Sequence, residues 1–329
     1  MMSLKEIHIS EIEAFRIGHA QDEAHATGCT AIICEKGAWA GVDVRGGSPA
    51  SRETELLKPV NTVQQIHCVM LSGGSAFGLE AGDGAMQFLE EKGVGFDVGI
   101  GRVPIVCGAS LFDLELVSFD RRPDKAMGYA ACQDAFFFKE PREGNVGAGT
   151  GATVGKFHNM EGMMKCGIGI SAAQIGNVKC GAVVAVNALG DVIDPDTGKI
   201  LAGLLNKEQT GFADTKKCMY EEMEHPRDLW KGNTTIGCIV TNGKLDKCQC
   251  NKAASIVHNG FARTIRPAHS TADGDTIFVM ASGKVEVAPD AFHVLAQEVM
   301  ERAVKRAALM AKPAYGLKAA VDFQTKTLL

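Results

Sequence analysis

The sequence predicts a mixed α/β fold in which β-sheets pack together beneath a cover of helices. Strand-like and helical segments follow one another in a mixed order rather than in strict alternation. A glycine-rich pair of strand-like runs, Gly167–Ser171 and Ala182–Asn187, lies in the middle of the chain, and two further runs flank a helical segment near its end. The chain has 329 residues, of which 46% are hydrophobic and 22% charged, so it can bury the core of one large domain or of two ordinary ones.

Short runs of apolar and β-branched residues predict six strands, and periodic apolar residues predict three helices. The strand runs are Thr30–Cys34, His67–Leu71, Gly167–Ser171, Ala182–Asn187, Thr235–Thr241 and Thr276–Ala281. The helical segments are Ala76–Lys92, Leu245–Arg263 and Ala288–Ala311. The third helix opens with Pro289 and Asp290, a favourable pair for a first turn. The 38 glycines indicate tight turns and close packing of backbone segments.

Composition and charge argue against several classes of protein. The net charge of −5 and the absence of a Lys/Arg cluster argue against a nucleic-acid-binding protein. The apolar runs are short and broken by glycine, and the start of the chain is polar, so we expect no membrane span, no signal peptide and a cytoplasmic protein. The 11 cysteines lie mostly inside apolar runs, which indicates reduced core residues. Cys248-Gln249-Cys250 lacks the spacing of a zinc site, and we expect neither a metal nor a cofactor.

Two glycine-rich segments come close to known motifs without matching them. Gly149–Phe157 resembles a phosphate-binding loop, but Thr150 stands where the first glycine should be, and Phe157 replaces the magnesium-binding Ser or Thr. Gly73–Gly78 resembles the nucleophile elbow of α/β-hydrolases, but Phe77 occupies the second required glycine. We therefore expect the glycine pair and Ser75 to form a tight turn and an N-cap for the helix that follows.

Asn233 and Thr234 immediately precede the strand-like run Thr235–Thr241, and their peptide bond is a candidate for self-cleavage. If that bond is broken, Thr234 acquires a free α-amine beside its own hydroxyl, and the amine can serve as its base. The alternative is structural, because Thr favours strand starts and Asn favours turns. Upstream, the charged stretch Ala213–Trp230 is expected to be an exposed connector of the kind that a cleaved junction needs.

An acidic pair precedes the last predicted strand. Asp273 and Asp275 bracket Gly274, and at a loop-to-strand junction both carboxylates can point to one site. The spacing alone favours a turn, because Asp-Gly is a common turn dipeptide.

Several blocks of sequence match those of a known family, and the two most specific are Ser72–Leu79 and Asn233–Ile236. Spread over almost the whole chain, these blocks resemble the self-processing family of L-aminopeptidase/D-esterases, β-peptidyl aminopeptidases and nylon-oligomer hydrolases. This resemblance favours Thr234 as a nucleophile over the structural alternative. The other matching segments are Ile17–Ala20, Thr27–Thr30, Gly41–Gly47, Arg52–Thr54, Val103–Val106, Gly147–Lys156, Val186–Ala188 and Ala262–Pro267.

The resemblance implies one domain, residues 1–329, with a four-layer αββα sandwich. This fold is like that of the N-terminal-nucleophile hydrolases but has the connectivity shared with the ornithine acetyltransferases. The resemblance also implies that the precursor is cut between Asn233 and Thr234 into an α chain, residues 1–233, and a β chain, residues 234–329. The implied assembly is a homo-oligomer, such as a tetramer of αβ protomers.

By matching position, the resemblance assigns roles to four further residues. Asp273 and Asp275 would hold the Thr234 amine and its proton. Lys156 and Asn187 would orient Thr234 and stabilise the oxyanion. From the residues alone, Lys156 can equally be a solvated loop lysine, and Asn187 can be only a turn residue.

The implied function is hydrolysis of amide bonds in small peptides or ω-amino-acid oligomers through an acyl-enzyme. Aminopeptidase members commonly carry Ser and Glu in place of Asp273 and Asp275, so this acidic pair and a Thr nucleophile look more like the nylon-oligomer hydrolases. Phe112 replaces a Tyr that some members carry, so any role of that hydroxyl is absent. The alternatives are an acyltransferase of the ornithine acetyltransferase type and an unprocessed, non-catalytic binding protein.

Overall fold

The computed structural model describes residues 3–138, 140–224 and 232–323. Within these ranges, the helices are α1 (Ala81–Glu91), α2 (Lys125–Phe137), α3 (Thr215–Glu221), α4 (Lys247–Thr264) and α5 (Pro289–Leu309). The strands are β1 (Lys5–Glu6), β2 (Arg16–Asp22), β3 (Thr27–Val44), β4 (Ser51–Arg52), β5 (Gln65–Ser72), β6 (Phe96–Asp97), β7 (Arg102–Val103), β8 (Val106–Ser110), β9 (Thr153–Val154), β10 (Met164–Lys165), β11 (Ile168–Ile175), β12 (Val178–Asn187), β13 (Asp191–Ile193), β14 (Ile200–Ala202), β15 (Thr234–Gly243), β16 (Ile265–Arg266) and β17 (Thr276–Val285).

A ten-stranded sheet dominates the described chain. Its strand order is β1-β11-β12-β15-β17-β3-β5-β8-β4, and β2 pairs with β3 beside this path. β15 and β17 run parallel, as do β5 and β8, whereas β15 is antiparallel to β12. The long strand β3 joins the two halves, because its first part pairs with β2 and β5 and its last residues pair with β17. β15 therefore lies inside the sheet, with hydrogen-bonded neighbours on both edges.

Three hydrophobic clusters fill the space around this sheet. In one cluster, Phe261 of α4 and Val299 of α5 pack with Val279 of β17. In a second, α1 and α2 cover β3, β5 and β8 through residues such as Phe88 and Ala131. The third contains side chains from both halves of the sheet and none from the five α-helices. Successive residues of β15 and β17 alternate between the first and third clusters, so both faces of these central strands are buried.

The predicted strands are confirmed and lie within β3, β5, β11, β12, β15 and β17, apart from a one-residue shift at the start of β11. The two later helices correspond to α4 and α5. α4 begins with a capping box formed by Asp246 and Gln249. α5 carries Pro289 in its first turn, where the missing N–H has no cost.

The expected N-cap at Ser75 is wrong. The segment 76–92 divides into a 3₁₀ helix, Ser75–Glu80, and α1, and the residue at the N-cap position is Gly74, with no side-chain capping bond. Gly74 has φ of 79°, and Ser75 also has a positive φ of 54°. The carboxylate of Asp113 holds this turn, because its Oδ1 accepts a hydrogen bond of 2.7 Å from the Gly74 N–H.

The expected exposed connector at Ala213–Trp230 is wrong in its first part. Helix α3 occupies this part, and Thr215 and Cys218 are buried. Asp191 fixes the start of the helix, because its two carboxylate oxygens accept 2.7 Å bonds from the N–H and the hydroxyl of Thr215. The last part of the stretch, residues 225–230, lies outside the described residues.

The cysteines behave as core residues, as predicted. All eleven are free, and all except Cys248 are buried. None of the described helices combines the length and apolarity needed to cross a membrane.

Candidate active site

The predicted junction lies at the start of the central strand β15. Thr234 is the first residue of β15 and is 3% exposed, while Asn233 and Thr235 are completely buried. On one side, Thr234 pairs with Asn187, the last residue of β12. On the other side, Asn233 forms a parallel bridge with Asp273. The sheet topology therefore brings together Asn187, Asp273 and the junction, which are far apart in sequence.

The segment 272–275 holds the backbone of the junction through three hydrogen bonds. The Asn233 N–H donates to the Ala272 carbonyl oxygen at 3.1 Å, and the Gly274 N–H donates to the Asn233 carbonyl oxygen at 2.9 Å. The Thr235 N–H donates to Asp275 Oδ1 at 2.7 Å. The Thr234 hydroxyl also donates to the Asn233 carbonyl oxygen. Two donors therefore converge on the carbonyl that precedes Thr234, and one of them is the hydroxyl predicted to attack it.

Lys156 and Asn187 form a buried pair at the end of β12. The Lys156 Nζ donates to Asn187 Oδ1 at 2.6 Å and lies 3.4 Å from the Asn187 carbonyl oxygen. The Asn187 Nδ2 donates to the Phe112 carbonyl oxygen at 2.8 Å, and its Oδ1 also accepts from the Thr153 N–H at 3.0 Å. Lys156 is 3% exposed and Asn187 is completely buried. The alternatives of a solvated loop lysine and a simple turn residue are therefore wrong.

Burial lowers the pKa of Lys156 to about 8, against the opposing attraction of nearby carboxylates. The strongest of these attractions comes from Glu115, followed by Asp273 and Asp113. A lysine with this pKa can change its protonation state close to neutral pH, whereas a solvated lysine cannot.

The two carboxylates of the acidic pair are both buried, at 1% exposure. Asp273 Oδ2 accepts from the N–H and the hydroxyl of Ser270. Burial, and then the neighbouring Asp275, raise the pKa of Asp273 to about 6. Asp275 Oδ2 accepts from the N–H and the ring Nδ1 of His269, at 3.0 and 2.8 Å. A turn is present here, as the spacing favoured, because the Asp273 N–H donates to the Ser270 carbonyl oxygen at 3.2 Å. Both residues also lie beside the junction, since Asp273 bridges Asn233 and Asp275 accepts from the Thr235 N–H.

A cavity of about 310 Å³ opens beside Thr234. Ser75, Ser110, Phe112 and Glu115 are among the residues that line it. Sequence reasoning missed Ser110 and Glu115 because neither belongs to a motif. It considered Ser75 only as a helix cap. The strand that ends at Ser110, β8, was not among the predicted strands, so its end gave no signal.

A second buried lysine, Lys165 of β10, was also missed. Its Nζ donates to the carbonyl oxygens of Gly149 and Ala152 at 2.9 Å, and also to that of Cys166. Burial lowers the pKa of Lys165 to about 7. No cluster of metal-binding side chains was found among the described residues.

Comparison with known proteins gives agreement along nearly the full chain. The profile of peptidase family S58 matches residues 8–321. A protein of Mycobacterium tuberculosis (strain ATCC 25618 / H37Rv), named an uncharacterized aminopeptidase, is 37% identical over 298 residues, covering 86% of this chain and 83% of that protein. The 6-aminohexanoate-oligomer endohydrolase of Kocuria sp. (strain KY2) is 32% identical over 308 residues, covering 89% and 83% respectively.

Among solved structures, the fold is similar to that of the L-aminopeptidase D-Ala-esterase/amidase from Ochrobactrum anthropi. The TM-score is 0.66 at 16% sequence identity, and the match covers 94% of this chain and 89% of that one. That protein is described as a prototype for the serine aminopeptidases, with a new variant of the Ntn hydrolase fold. At this level of identity the likeness concerns the fold alone.

Proposed function

This chain belongs to peptidase family S58 and hydrolyses amide or peptide bonds, and from that premise we propose that Thr234 becomes its nucleophile by self-cleavage of the Asn233–Thr234 bond. The observation that carries the proposal is the contact between the Thr234 hydroxyl and the carbonyl of Asn233. The Gly274 N–H, 2.9 Å from the same carbonyl oxygen, is a second donor at the position where negative charge would develop.

The self-cleavage proceeds in two steps. Thr234 Oγ1 attacks the Asn233 carbonyl carbon, the bond from that carbon to the Thr234 nitrogen breaks, and the hydroxyl proton passes to the departing amine. The product is an ester between Asn233 and the Thr234 oxygen. Water then hydrolyses this ester, which leaves a carboxylate on Asn233 and restores the hydroxyl. The Gly274 N–H stabilises the oxyanion that forms in the first step.

The mature enzyme uses the same hydroxyl on a substrate. A free α-amine has a reference pKa of about 7.7–8.0, so part of it is neutral near pH 7 and can accept the Thr234 hydroxyl proton. The oxygen then forms an ester with the acyl part of the substrate, and the proton passes to the leaving amine. Asp273 and Asp275 hold the Thr234 amine, and the Lys156 ammonium, oriented by Asn187, stabilises the oxyanion. The burial of all four side chains supports these roles.

The proposed substrates are small peptides or ω-amino-acid oligomers. The cavity beside Thr234, at about 310 Å³, is near the lower end of the range for ligand pockets and suits a short acyl group. Two relatives, one named as an uncharacterized aminopeptidase and one as a 6-aminohexanoate-oligomer endohydrolase, support this class.

We also propose that residues 1–329 form one domain with a four-layer αββα arrangement. The alternation of β15 and β17 side chains between two hydrophobic clusters supports it, because one of these clusters contains α4 and α5 and the other lacks α-helical residues.

Thr234→Ala, with Thr235→Ala as its matched control, tests the proposal. Both threonines are buried, and the Thr235 hydroxyl has no hydrogen-bond partner among the described residues. The wild type and Thr235→Ala should yield two chains whose masses sum to 34.9 kDa plus one water, with a new N-terminus at Thr234. Thr234→Ala should stay whole and lose about 10³-fold or more in amide hydrolysis.

Intact-mass spectrometry, N-terminal sequencing and a chromogenic amide assay provide the readouts. Thr234→Ser should still split, because it keeps a hydroxyl. A Thr234→Ala protein that splits and hydrolyses amides, or a wild type that is active while whole, contradicts the proposal.

A further inference from the structure

Two adjacent residues hold the two carboxylates of the acidic pair. His269 donates twice to Asp275 Oδ2, from its backbone N–H at 3.0 Å and from its ring Nδ1 at 2.8 Å. Ser270 donates in the same way to Asp273 Oδ2, from its N–H and its hydroxyl. Because a carboxylate oxygen only accepts hydrogen bonds, the ring proton of His269 lies on Nδ1. Each carboxylate is therefore fixed by the backbone and the side chain of a single residue.

His269 occupies a position that is unfavourable for an imidazole. Its φ of 58° lies in the left-handed region, which is uncommon for residues other than glycine. Its ring Nε2 is buried and has no hydrogen-bond partner within the described ranges, and an unpaired buried polar atom is costly. An apolar side chain would fill the same space without this second cost. Packing alone therefore does not account for an imidazole at this position.

Helix α4 supports the His269 ring from the side of the core. The His258 ring meets it edge to face, with 4.8 Å between the ring centroids, and the Phe261 ring lies at 6.3 Å. His258 is fixed in turn, because its Nε2 donates to the carbonyl oxygen of Asp43 in β3 at 3.0 Å. Since Phe261 belongs to the cluster that α4 and α5 form with β17, the His269 ring rests on a closely packed part of the molecule.

Asp275 carries this support to the junction. Its Oδ1 accepts at 2.7 Å from the N–H of Thr235, the residue after the proposed nucleophile. In the uncut chain, two further backbone hydrogen bonds hold Asn233. A cut at Asn233–Thr234 separates Thr234 from those two bonds, whereas the bond between Thr235 and Asp275 lies on the Thr234 side and remains. The matured site therefore depends more on Asp275 than the precursor does.

We propose that His269 is a positioning residue, which aims the Asp275 carboxylate at the Thr234 amine in the matured enzyme. This proposal rests on the proposed function, because the amine exists only after the cut. His269 is not among the described residues that line the cavity beside Thr234, so it acts through Asp275 and not on the substrate. Loss of its ring donor should lower kcat and leave KM unchanged, since the contacts with the substrate stay in place.

Two substitutions separate the hydrogen bond from the packing of the ring. His269→Asn keeps an N–H donor at the position of Nδ1 and suits a positive φ, but it loses the ring. His269→Phe keeps a ring and loses the donor. On matured protein with a chromogenic amide, His269→Asn should keep kcat within about fivefold of the wild type, whereas His269→Phe should lower kcat about 10²-fold. His8→Phe, the same change at an exposed histidine, should match the wild type.

The order of the two variants decides the outcome. If His269→Phe keeps the wild-type kcat, or if His269→Asn loses as much as His269→Phe, the hydrogen bond to Asp275 does not support catalysis and the proposal is overturned. A rise in KM without a fall in kcat also overturns it, because His269 would then act on substrate binding.

A third variant keeps the test decisive should His269→Phe not fold or split. His269→Gly suits the positive φ and leaves space for an added ring. Imidazole and N-methylimidazole are added to it at about pH 8, above the reference pKa of about 6.5 of an imidazole group. Both rings fit the space, but neutral N-methylimidazole has no N–H to donate. A higher kcat with imidazole supports the positioning role, and an equal kcat with the two overturns it.

Failure of this proposal can be told apart from failure of the proposed function. If the wild type and the His269 variants all split at Asn233–Thr234 and share the same kcat, only the positioning role fails. If the wild type hydrolyses amides without splitting, the proposed function fails.

Discussion

The two buried lysines, Lys156 and Lys165, lie close in sequence and differ in what surrounds the ammonium group. Lys156 bonds to a side-chain amide, Asn187 Oδ1, at 2.6 Å, and Asn187 in turn pairs with Thr234. Within the described ranges, Lys165 bonds only to three backbone carbonyls. Burial lowers the pKa of both, to about 8 and about 7. Burial and a lowered pKa are therefore common to both lysines, and what separates the lysine proposed to act in catalysis from the other is the kind of partner that its ammonium group has.

The largest expected difference between the two lysines is in activity. Lys156→Met should lower kcat by about 10²–10³-fold, because it removes the ammonium proposed to stabilise the oxyanion. Its free energy of unfolding should change little, since an apolar side chain of similar length replaces a poorly solvated charge. The measurement is kcat on matured protein, with Lys36→Met as an exposed control. If Lys156→Met keeps the wild-type kcat, the proposed catalytic role of Lys156, and with it the contrast to Lys165, is contradicted.

The second difference is in stability. Lys165→Met should lower the free energy of unfolding by about 2–3 kcal/mol, because the carbonyls of Gly149, Ala152 and Cys166 lose their common donor. Urea denaturation of Lys165→Met and Lys156→Met under the same conditions measures it. Activity per folded molecule should stay within about tenfold of the wild type. If Lys165→Met folds with wild-type stability but loses activity, Lys165 rather than Lys156 takes part in catalysis.

The smallest expected effect is a shift in pH dependence. Activity should fall above pH about 8, where Lys156 loses its proton. Asn187→Asp places a carboxylate beside the Lys156 ammonium, favours its charged form, and should move this alkaline limb upward by about one pH unit. The pH profile of kcat measures the shift. Lys165→Met should leave the alkaline limb of the kcat profile at the wild-type pH. If Asn187→Asp does not shift that limb, deprotonation of Lys156 is not its cause.

The sequence could predict much of the fold because its strands and helices have local patterns. Strand β15 contains the apolar run Ile236–Val240, α4 begins with a capping box, and α5 has Pro289 in its first turn. It could not predict the two-residue strands such as β1 and β4, since two residues carry no period. Nor could residue pattern alone order the sheet, because the parallel pairing of β15 with β17 depends on contacts made after folding.

Candidate site residues came from the family resemblance, wherever a matching block or position includes them. Thr234, Lys156, Asn187, Asp273 and Asp275 were all predicted, and the structure places them around the start of β15. Ser110, Glu115 and Lys165 lie in ordinary sequence, and only the tertiary structure gives them neighbours. Ser75 shows an intermediate case, where local rules predicted a cap but the hydrogen bond from Gly74 to Asp113 imposed another geometry.

The position of β15 and β17 has a consequence for how a cut protein would come apart. Both strands belong to residues 234–329, yet they lie between β12 and β3, which belong to residues 1–233. After a cut at Asn233–Thr234, the shorter piece would remain wedged within the sheet by hydrogen bonds along both edges. Unfolding of the cut protein would then dissociate it into two separate chains, whereas unfolding of the uncut protein releases one. The melting temperature of the cut protein would therefore rise with protein concentration. If residues 1–233 and 234–329 were expressed as separate chains, each would supply the strands that the other lacks, and the two would assemble by complementation.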